Sequence, residues 1–332
     1  MSSKRAVIIK NLILLFLLIA LAGGSLLLGR YPHPGFLNPG DLATDPIARN
    51  IVMNLRLPRI ITAIILGSTL ALAGLVFQTI LGNPLVEPGF LGVSQGAAFG
   101  AALVIILNIK NPLAVPLAAG LFALIALILT WSLARFIRYG GWIIRLILAG
   151  IIISALFSSG LGILKYLADP LSQLQEITFW MMGGLSGVGW QELKYILPLT
   201  LPPLILIVIM RWRLNLLSMG DRTAHALGIS PILEKNFFLL IAVIATATVV
   251  AYCGIIGWIG LIIPHIARRL AGSDTGKSVP AALLSGGIFA IISDDIARTV
   301  TTGEIPLGIL TSLAGALIFT VLMICTPLRK HA

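Results

Sequence analysis

Long segments without charged residues recur along the whole chain, and this feature most constrains its fold. Crossing the roughly 30 Å hydrocarbon core of a bilayer takes about 20 helical residues, and segments of that length fill most of the 332 residues. Charged residues make up only 11% of the chain, whereas about a quarter of a soluble domain is charged. We therefore predict an all-α polytopic membrane protein, with one transmembrane domain over residues 1–332 and no separate soluble domain.

About ten transmembrane helices are predicted, arranged as two pseudo-repeated halves. The least certain stretch is 237–270, which is too long for one span and short for two; we divide it at Cys253, because the glycines that follow favour a turn. The first segment is interpreted as a retained span rather than a cleaved signal peptide, since its apolar run is longer than a signal core. The predicted spans are 7–28, 60–81, 91–107, 113–136, 143–167, 195–210, 237–253, 255–270, 279–300 and 306–326.

The distribution of positive charge indicates a membrane topology rather than a nucleic-acid partner. The net charge is +11, but the charges are scattered between apolar runs instead of forming one basic surface. With the N-terminus inside, roughly two thirds of the 23 lysines and arginines fall on the cytoplasmic side, Arg329 and Lys330 among them, as the positive-inside rule expects. We predict a multi-pass protein of the inner (cytoplasmic) membrane with both termini cytoplasmic.

Two segments rich in proline and glycine, 82–92 and 254–265, interrupt helices at membrane depth. Broken helices are tolerated there only where protein or a water-filled cavity satisfies the backbone, and breaks at corresponding places in two halves indicate a transport path. Most glycines within the spans, such as Gly96 and Gly100, are predicted to let helices pack closely. Cys253 and Cys325 are interpreted as small core residues, and no metal-binding spacing is present.

Few ionisable side chains lie inside the predicted spans, so the energy for transport is expected to come from another protein. An ion-coupled carrier usually places Asp, Glu or His at mid-membrane, but here Asp294 and Asp295 lie near one end of a span and His265 is alone. The segment 271–278 fits a relaxed phosphate-loop pattern, yet no strand and no α/β domain surround it. We therefore expect no nucleotide site, no bound cofactor and no catalytic residue in this chain. A carrier and a membrane-embedded enzyme remain as alternatives.

The longest predicted cytoplasmic loop, 211–236, is the candidate for that energy input. Apolar residues such as Leu217 and Leu227 alternate with charged residues, and Gly220 and Gly228 punctuate the loop. Short helices with one apolar face can dock into a groove of a partner. The alternative is a helix that lies on the lipid headgroups.

Six short motifs follow one another along the chain: LRLPR at 55–59, GNPLVEPGFLGVSQG at 82–96, FWMMGG at 179–184, GDRTAHALG at 220–228, GWIGLIIPHIAR at 257–268 and EIPLG at 304–308. Together they cover roughly residues 50–326. In these motifs and in their order the chain resembles the FecCD-type permeases of ABC importers for ferric siderophores, haem and cobalamin.

This resemblance implies partners and roles that the residue patterns alone do not give. It implies a second permease copy, two separate ABC ATPase subunits that bind the ATP, and an extracytoplasmic substrate-binding protein. The resemblance places a translocation path and gate at Asn83, Pro84 and Leu85 and at the start of the fifth span, Ile143 and Ile144. It assigns ATPase coupling to Gly220, Asp221, Arg222, Ala224, Leu227 and Gly228.

The resemblance also implies that Arg56, Arg59 and Arg298 present guanidinium groups to acidic residues of the binding protein. Such pairs are physically favourable, since a guanidinium binds a carboxylate in two places and steers docking. The alternatives are contact with phospholipid headgroups or, for Arg298, an ion pair with Asp294 one helical turn away. The cargo remains open among ferric siderophore, haem, cobalamin and oxyanions, with ferric siderophore as the commonest cargo of the family.

Overall fold

The computed structural model describes residues 2–31 and 33–324, and most of them are helical. The first helix is followed by a small antiparallel hairpin, in which Leu28 pairs with Phe36. The elements in chain order are α1 (Ser2–Leu27), β1 (Leu28–Gly29), β2 (Gly35–Phe36), α2 (Asp41–Thr44), α3 (Pro46–Asn50), a π-helical turn (Ile51–Arg56), α4 (Leu57–Leu81), a 3₁₀ turn (Pro88–Leu91), α5 (Val93–Ile106), α6 (Ala114–Phe136), α7 (Trp142–Leu167), α8 (Gln173–Met182), α9 (Trp190–Ile209), α10 (Arg211–Ser218), α11 (Asp221–Ala226), α12 (Pro231–Cys253), α13 (Ile259–Ala271), α14 (Thr275–Thr299) and α15 (Leu307–Ile324).

The all-α polytopic class is confirmed. Each predicted span contains a helix, and eight helical segments of the described chain are long and apolar enough to cross a membrane. The two remaining predicted spans correspond to the shorter helices α5, with 14 residues, and α13, with 13 residues. Both follow a Pro/Gly-rich break, so the breaks shorten these helices. The count of ten spans and the two pseudo-repeated halves remain predictions.

Three predicted boundaries differ from the structure for local reasons. Helix α9 begins at Trp190, before the predicted 195, because Glu192 accepts a hydrogen bond from the Gly189 amide at 2.8 Å and caps the helix. Helix α12 begins at Pro231 rather than 237, with the proline in the first turn. After the predicted division at Cys253, α13 begins only at Ile259, since the intervening backbone is not helical.

Helix α4 lies at the centre of the molecule and packs against α12, α13 and α14. Glycines provide the close approach: a Cβ at Gly67 would overlap the carbonyl oxygen of Gly286, and one at Gly74 would overlap that of Gly260. Because lipid offers little hydrophobic drive for helices to associate, such backbone contacts are a main source of packing energy. The predicted packing role of the glycines is confirmed at these positions.

The structure tests the prediction for Cys253 but not those for Cys325 and the C-terminus. Cys253 is 2% exposed and lies in the core, as predicted. Cys325, Arg329 and Lys330, which carried the prediction of a cytoplasmic C-terminus, lie outside the described residues.

Candidate functional site

The predicted functional residues lie at two opposite ends of the helix bundle. Arg56 and Arg59 are at the beginning of α4, and Asn83 follows its end. Because α4 has 25 residues, these ends are about 37 Å apart. Helix α14 runs the other way, with Thr275 beside α10 and Arg298 beside α1. The structure therefore groups the three arginines at one end, and the loop α10–α11 lies at the end where α14 begins.

Arg59 forms ion pairs with two carboxylates at the arginine end. Its Nε and Nη2 donate to both carboxylate oxygens of Asp294 at 2.8 to 3.0 Å. Its Nη1 donates to Glu304 Oε1 at 2.7 Å. The Asp294 side chain is 1% exposed and that of Glu304 is 43% exposed. Arg59 thus has one buried partner, which fixes it, and one partner that is accessible from outside.

Arg56 and Arg298 hold the end of α1. Arg56 is buried and donates to the carbonyl oxygens of Leu26 and Leu27, both at 3.0 Å. Arg298 donates to Leu28 O at 2.8 Å and to Ser25 O at 2.6 Å. The carbonyls of Ser25, Leu26 and Leu27 lie in the last turn of α1 and lack intrahelical partners, which the guanidinium groups supply.

The predicted ion pair between Arg298 and Asp294 is also present, with Nε 3.7 Å from Oδ2. Asp294 is therefore flanked by two guanidinium groups, of Arg59 and Arg298, which compensate the cost of burying its charge. The sequence indicated these arginines as a docking surface, but their guanidinium groups already have partners within the chain. Their role towards a binding protein stays a prediction.

A cavity of about 470 Å³ lies at the same end, beside the Arg59–Glu304 pair. Its wall includes Glu176, Trp180 and Tyr252, together with the segment 183–187 that follows α8 and with Gly254 at the end of α12. No three His, Cys, Asp or Glu side chains of the described chain converge on a common point as metal ligands do. We call this cavity the vestibule. Its wall carries charges of both signs, from Arg59 and from Glu176 and Glu304.

The two Pro/Gly-rich breaks pack directly against each other, which their sequence separation does not reveal. The Trp258 amide donates to Glu87 Oε2 at 3.2 Å, and Trp258 has φ 71°, a left-handed conformation that is strained for a large residue. A Cβ at Gly260 would lie 2.8 Å from Pro88 Cδ. Each break thus satisfies part of the backbone of the other, as membrane depth requires.

Gln78 and His265 join the same two breaks at the end of α4. Gln78 is 4% exposed, and its Nε2 lies 3.1 to 3.4 Å from three carbonyl oxygens, one on the first break and two on the second. Its Oε1 accepts from Arg268. His265 Nε2 lies 2.9 Å from Pro84 O, and because a carbonyl only accepts, the histidine donates. We did not identify Gln78 from the sequence, although a lone amide in an apolar span is a recognisable signal.

The predicted path residues form two separate groups. Pro84 and Leu85 are exposed, and Asn83 Oδ1 accepts the amide of Leu85 at 2.9 Å, which closes a tight turn. Ile143 and Ile144 lie in the first turn of α7, where Ile144 is exposed. The first break contacts α7 near Gly150, whose Cβ would lie 2.9 Å from Phe90 O. That contact is about two helical turns from Ile143.

The loop predicted as 211–236 consists of two short helices, α10 and α11, and the first turn of α12. Ala224 is fully buried and anchors α11, whereas Met219 and Leu227 are more than half exposed. Asp221, Arg222, Gly220 and Gly228 are exposed as well. The loop thus contains the short helices that were predicted, and its exposed apolar side chains Met219 and Leu227 lie on either side of α11.

Helix α10 is attached firmly to its neighbours. Asn215 donates to Asp274 Oδ1 at 2.7 Å and accepts from the Thr275 amide at 2.8 Å. The hydrogen bond from Asn215 lowers the pKa of the Asp274 carboxyl, as do the Gly276 amide and Lys277 nearby, against an opposing effect of burial. These bonds fix α10 to the start of α14.

Comparison with known proteins gives consistent matches over almost the whole chain. The model of the FecCD transport family matches residues 12–325. The molybdate import system permease protein of Haemophilus influenzae is 37% identical over 320 residues, which are 93% of this chain and 94% of that protein. The hemin transport system permease protein of Yersinia pestis is 38% identical, over 91% of each chain. A probable iron chelatin permease of Helicobacter pylori is 36% identical over 88% of this chain and 86% of that protein.

Solved structures agree with these sequence matches. An inward-facing metal-chelate type ABC transporter superposes with a TM-score of 0.88 at 35% identity, covering 95% of this chain and 99% of that chain. PsaBC from Streptococcus pneumoniae has a TM-score of 0.61 at 19% identity, covers 88% of this chain and 96% of that chain, and shares the fold.

Proposed function

The chain belongs to the FecCD transport family of ABC-importer permeases, and from that premise we propose that it passes a metal chelate from an extracytoplasmic binding protein into the cytoplasm. A ferric siderophore is the first candidate for the cargo. The iron chelatin and hemin permeases among its relatives support an iron chelate, while the molybdate permease of similar identity makes an oxyanion the main competitor.

The proposed assembly contains two copies of this chain, two ABC ATPase subunits and one binding protein. In each copy, ten spans include the short helices α5 and α13, the two halves form a pseudo-repeat, and both termini are cytoplasmic. The excess of positive charge on the loops at the α10–α11 end supports this orientation. ATP binds to the partner ATPases; this chain supplies no catalytic residue and binds no cofactor.

The observation that carries the proposal is the pair of exposed apolar side chains that flank α11, Met219 and Leu227, at the end opposite Arg59. We assign the ATPase contact to Gly220, Asp221, Arg222, Ala224, Leu227 and Gly228, with Ala224 as the anchor and Leu227 as the contact. The two positive-φ glycines on either side of α11 allow it to move as a unit. Its six residues are too few for a helix that lies stably on headgroups, which favours docking.

At the other end, the binding protein is proposed to dock over the vestibule. Arg59 is the arginine that can exchange its accessible partner Glu304 for a carboxylate of the binding protein. Arg56 and Arg298 complete the predicted docking set, and they support it by fixing the end of α1. The cargo then follows a path that ends at Asn83, Pro84 and Leu85 and at a gate on α7 formed by Ile143 and Ile144.

Reconstitution tests the function directly. The chain, its ATPase and its binding protein are inserted together in proteoliposomes, and uptake of a radiolabelled ferric siderophore, haem, cobalamin or molybdate is measured with and without ATP. We expect uptake of one cargo, dependent on ATP and on the ATPase. Uptake by the isolated chain along an ion gradient would identify a carrier and refute the proposal. Binding of the four compounds to the binding protein alone determines the cargo.

The assignment of α11 is tested by Leu227→Glu. A carboxylate on the proposed contact should prevent the ATPase from co-purifying with the permease, because a buried unpaired charge is costly at an interface. The matched control is Leu171→Glu, at an exposed leucine on the opposite side of the membrane in this topology. Equal recovery of the ATPase with both variants would exclude this contact.

A further inference from the structure

Lys235 is a buried lysine that contacts two elements with separate proposed roles. It lies in the first turn of α12, and its side chain is 7% exposed. Its Nζ is 2.5 Å from Oδ1 of Asp221, the first residue of α11. The same ammonium lies 6.0 Å from the ring centroid of Trp142, the first residue of α7. The charge of Lys235 therefore contacts both the first residue of α11 and the first residue of α7, the helix that carries Ile143 and Ile144.

The surroundings of Lys235 make this connection sensitive to the position of α11. An ammonium group is strongly hydrated and is buried only when partners replace its water. Here the partners are one carboxylate and one aromatic face, and cation–π attraction is strongest for tryptophan. The Asp221 side chain is 61% exposed. A shift of α11 would therefore remove the only carboxylate that the described residues place on this lysine.

The flanking segments show which side of the connection can move. Gly220 and Gly228 have φ values of 92° and 86°, so α11 is bounded by glycines on both sides. By contrast, Arg213 of α10 pairs with Glu234, next to Lys235, and fixes the start of α12 to α10. The mobile partner of Lys235 is thus α11, and the fixed support is α12.

A cavity beside the lysine leaves room for movement at the start of α7. Its volume is about 510 Å³, and its wall includes Trp142, Ile143, Ile144, Asp221 and Lys235. Space next to the first turn of α7 allows that turn to shift without displacing packed core.

We propose that Lys235 is a positioning residue that transmits movement of α11 to the start of α7, through its ion pair with Asp221 and its contact with Trp142. This inference rests on the proposed function. When the ATPase moves α11, the ammonium follows its carboxylate, and the indole follows the ammonium. Coupling in this chain then depends on a buried charge and not only on rigid helix packing.

The test compares Lys235→Met, which keeps the apolar stem, with Lys235→Arg, which keeps the charge. The complete transporter is reconstituted, and both ATP hydrolysis and uptake are measured. We expect Lys235→Met to bind its ATPase and hydrolyse ATP, but to transport about tenfold less cargo per ATP. Lys235→Arg should retain most of the coupling. The matched control is Lys277→Met, since Lys277 pairs with Asp274 at 3.6 Å at the same end of the molecule and makes no cation–π contact among the described residues.

Trp142→Leu tests the second half of the connection. It should lower cargo per ATP as Lys235→Met does, and the double variant should be no worse than either single one, because both break the same connection. If Lys235→Met fails to fold, Lys235→Gln, which keeps a polar head group without the charge, replaces it, with the same expected loss.

Unchanged cargo per ATP in the charge-deleting variant would overturn this proposal, as would an equal loss in Lys235→Met and Lys235→Arg, or losses that multiply in the double variant. The wild-type complex separates the two levels of inference. If it does not transport at all, the proposed function fails; if it transports and the variants couple normally, only the role of Lys235 fails.

Discussion

Adding one methyl group at Gly96 should separate α5 from α6. A Cβ at this position would lie 2.5 Å from the carbonyl oxygen of Phe122 and 2.9 Å from the Cβ of Ala126. Ordinary contact begins at 3.4 Å, so the backbones must move apart by about 0.9 Å, the difference between 3.4 and 2.5 Å. A gap of 0.5 to 1 Å forfeits about a quarter to a half of the dispersion energy of each contact. Overpacking of this kind costs about 1–3 kcal/mol.

The assay is thermal unfolding of the purified protein in detergent, followed by its helical circular dichroism signal. Gly96→Ala should lower the midpoint by several degrees. Gly100, one turn along the same face, meets the carbonyl oxygen of Ala118 at 2.5 Å, so one separation accommodates both methyl groups. The double variant should therefore lose less than the sum of the two single losses. The control is Gly23→Ala, at a helix position with no neighbouring atom within 4 Å, which should be neutral or stabilising.

Two results would refute this reasoning. One is a midpoint for Gly96→Ala equal to that of the control. The other is full rescue of Gly96→Ala by Ala126→Gly, because the nearest obstacle is a backbone oxygen that the second substitution does not remove.

Three further predictions concern polar contacts. Asp294→Asn removes the buried charge that compensates Arg59 and should destabilise the protein by about 3–5 kcal/mol, measured by the same unfolding assay; an unchanged midpoint would contradict the described ion pair. Glu304→Ala frees one guanidinium nitrogen of Arg59 and should tighten docking of the binding protein about 2- to 5-fold, the value of an exposed ion pair, in a titration at low salt; unchanged affinity would place Arg59 outside the docking surface. His265→Phe removes the donor to Pro84 and should lower uptake severalfold, while His265→Gln, which still donates, should not; equal uptake by both variants would leave that hydrogen bond without a role.

The sequence by itself determined the helices and the membrane class. Apolar runs of about 20 residues form helices in lipid because the backbone must satisfy its own hydrogen bonds there, so the presence and approximate limits of these helices follow from hydropathy and from prolines and glycines. The predicted helix limits were wrong where a helix continues into polar sequence beyond the hydrocarbon. Helix α9 begins before the predicted residue, in a turn that contains Glu192, and α12 begins before the predicted residue, in a segment that contains Lys235. Motif order also led to the family, because six short motifs in sequence are far more specific than any one of them.

Only the tertiary structure decided which distant residues meet. Helical periodicity gives the face of each helix but not its neighbour, so nothing in the sequence places Gln78 between the two breaks or brings Arg59 to Asp294. Burial of a charge is likewise a property of the packed bundle. In the sequence Lys235 is an ordinary lysine of a polar loop, and only its contacts with Trp142 of α7 and Asp221 of α11 show that it is buried. Apolar length is a local property of the chain, whereas contact and desolvation depend on how all the helices pack.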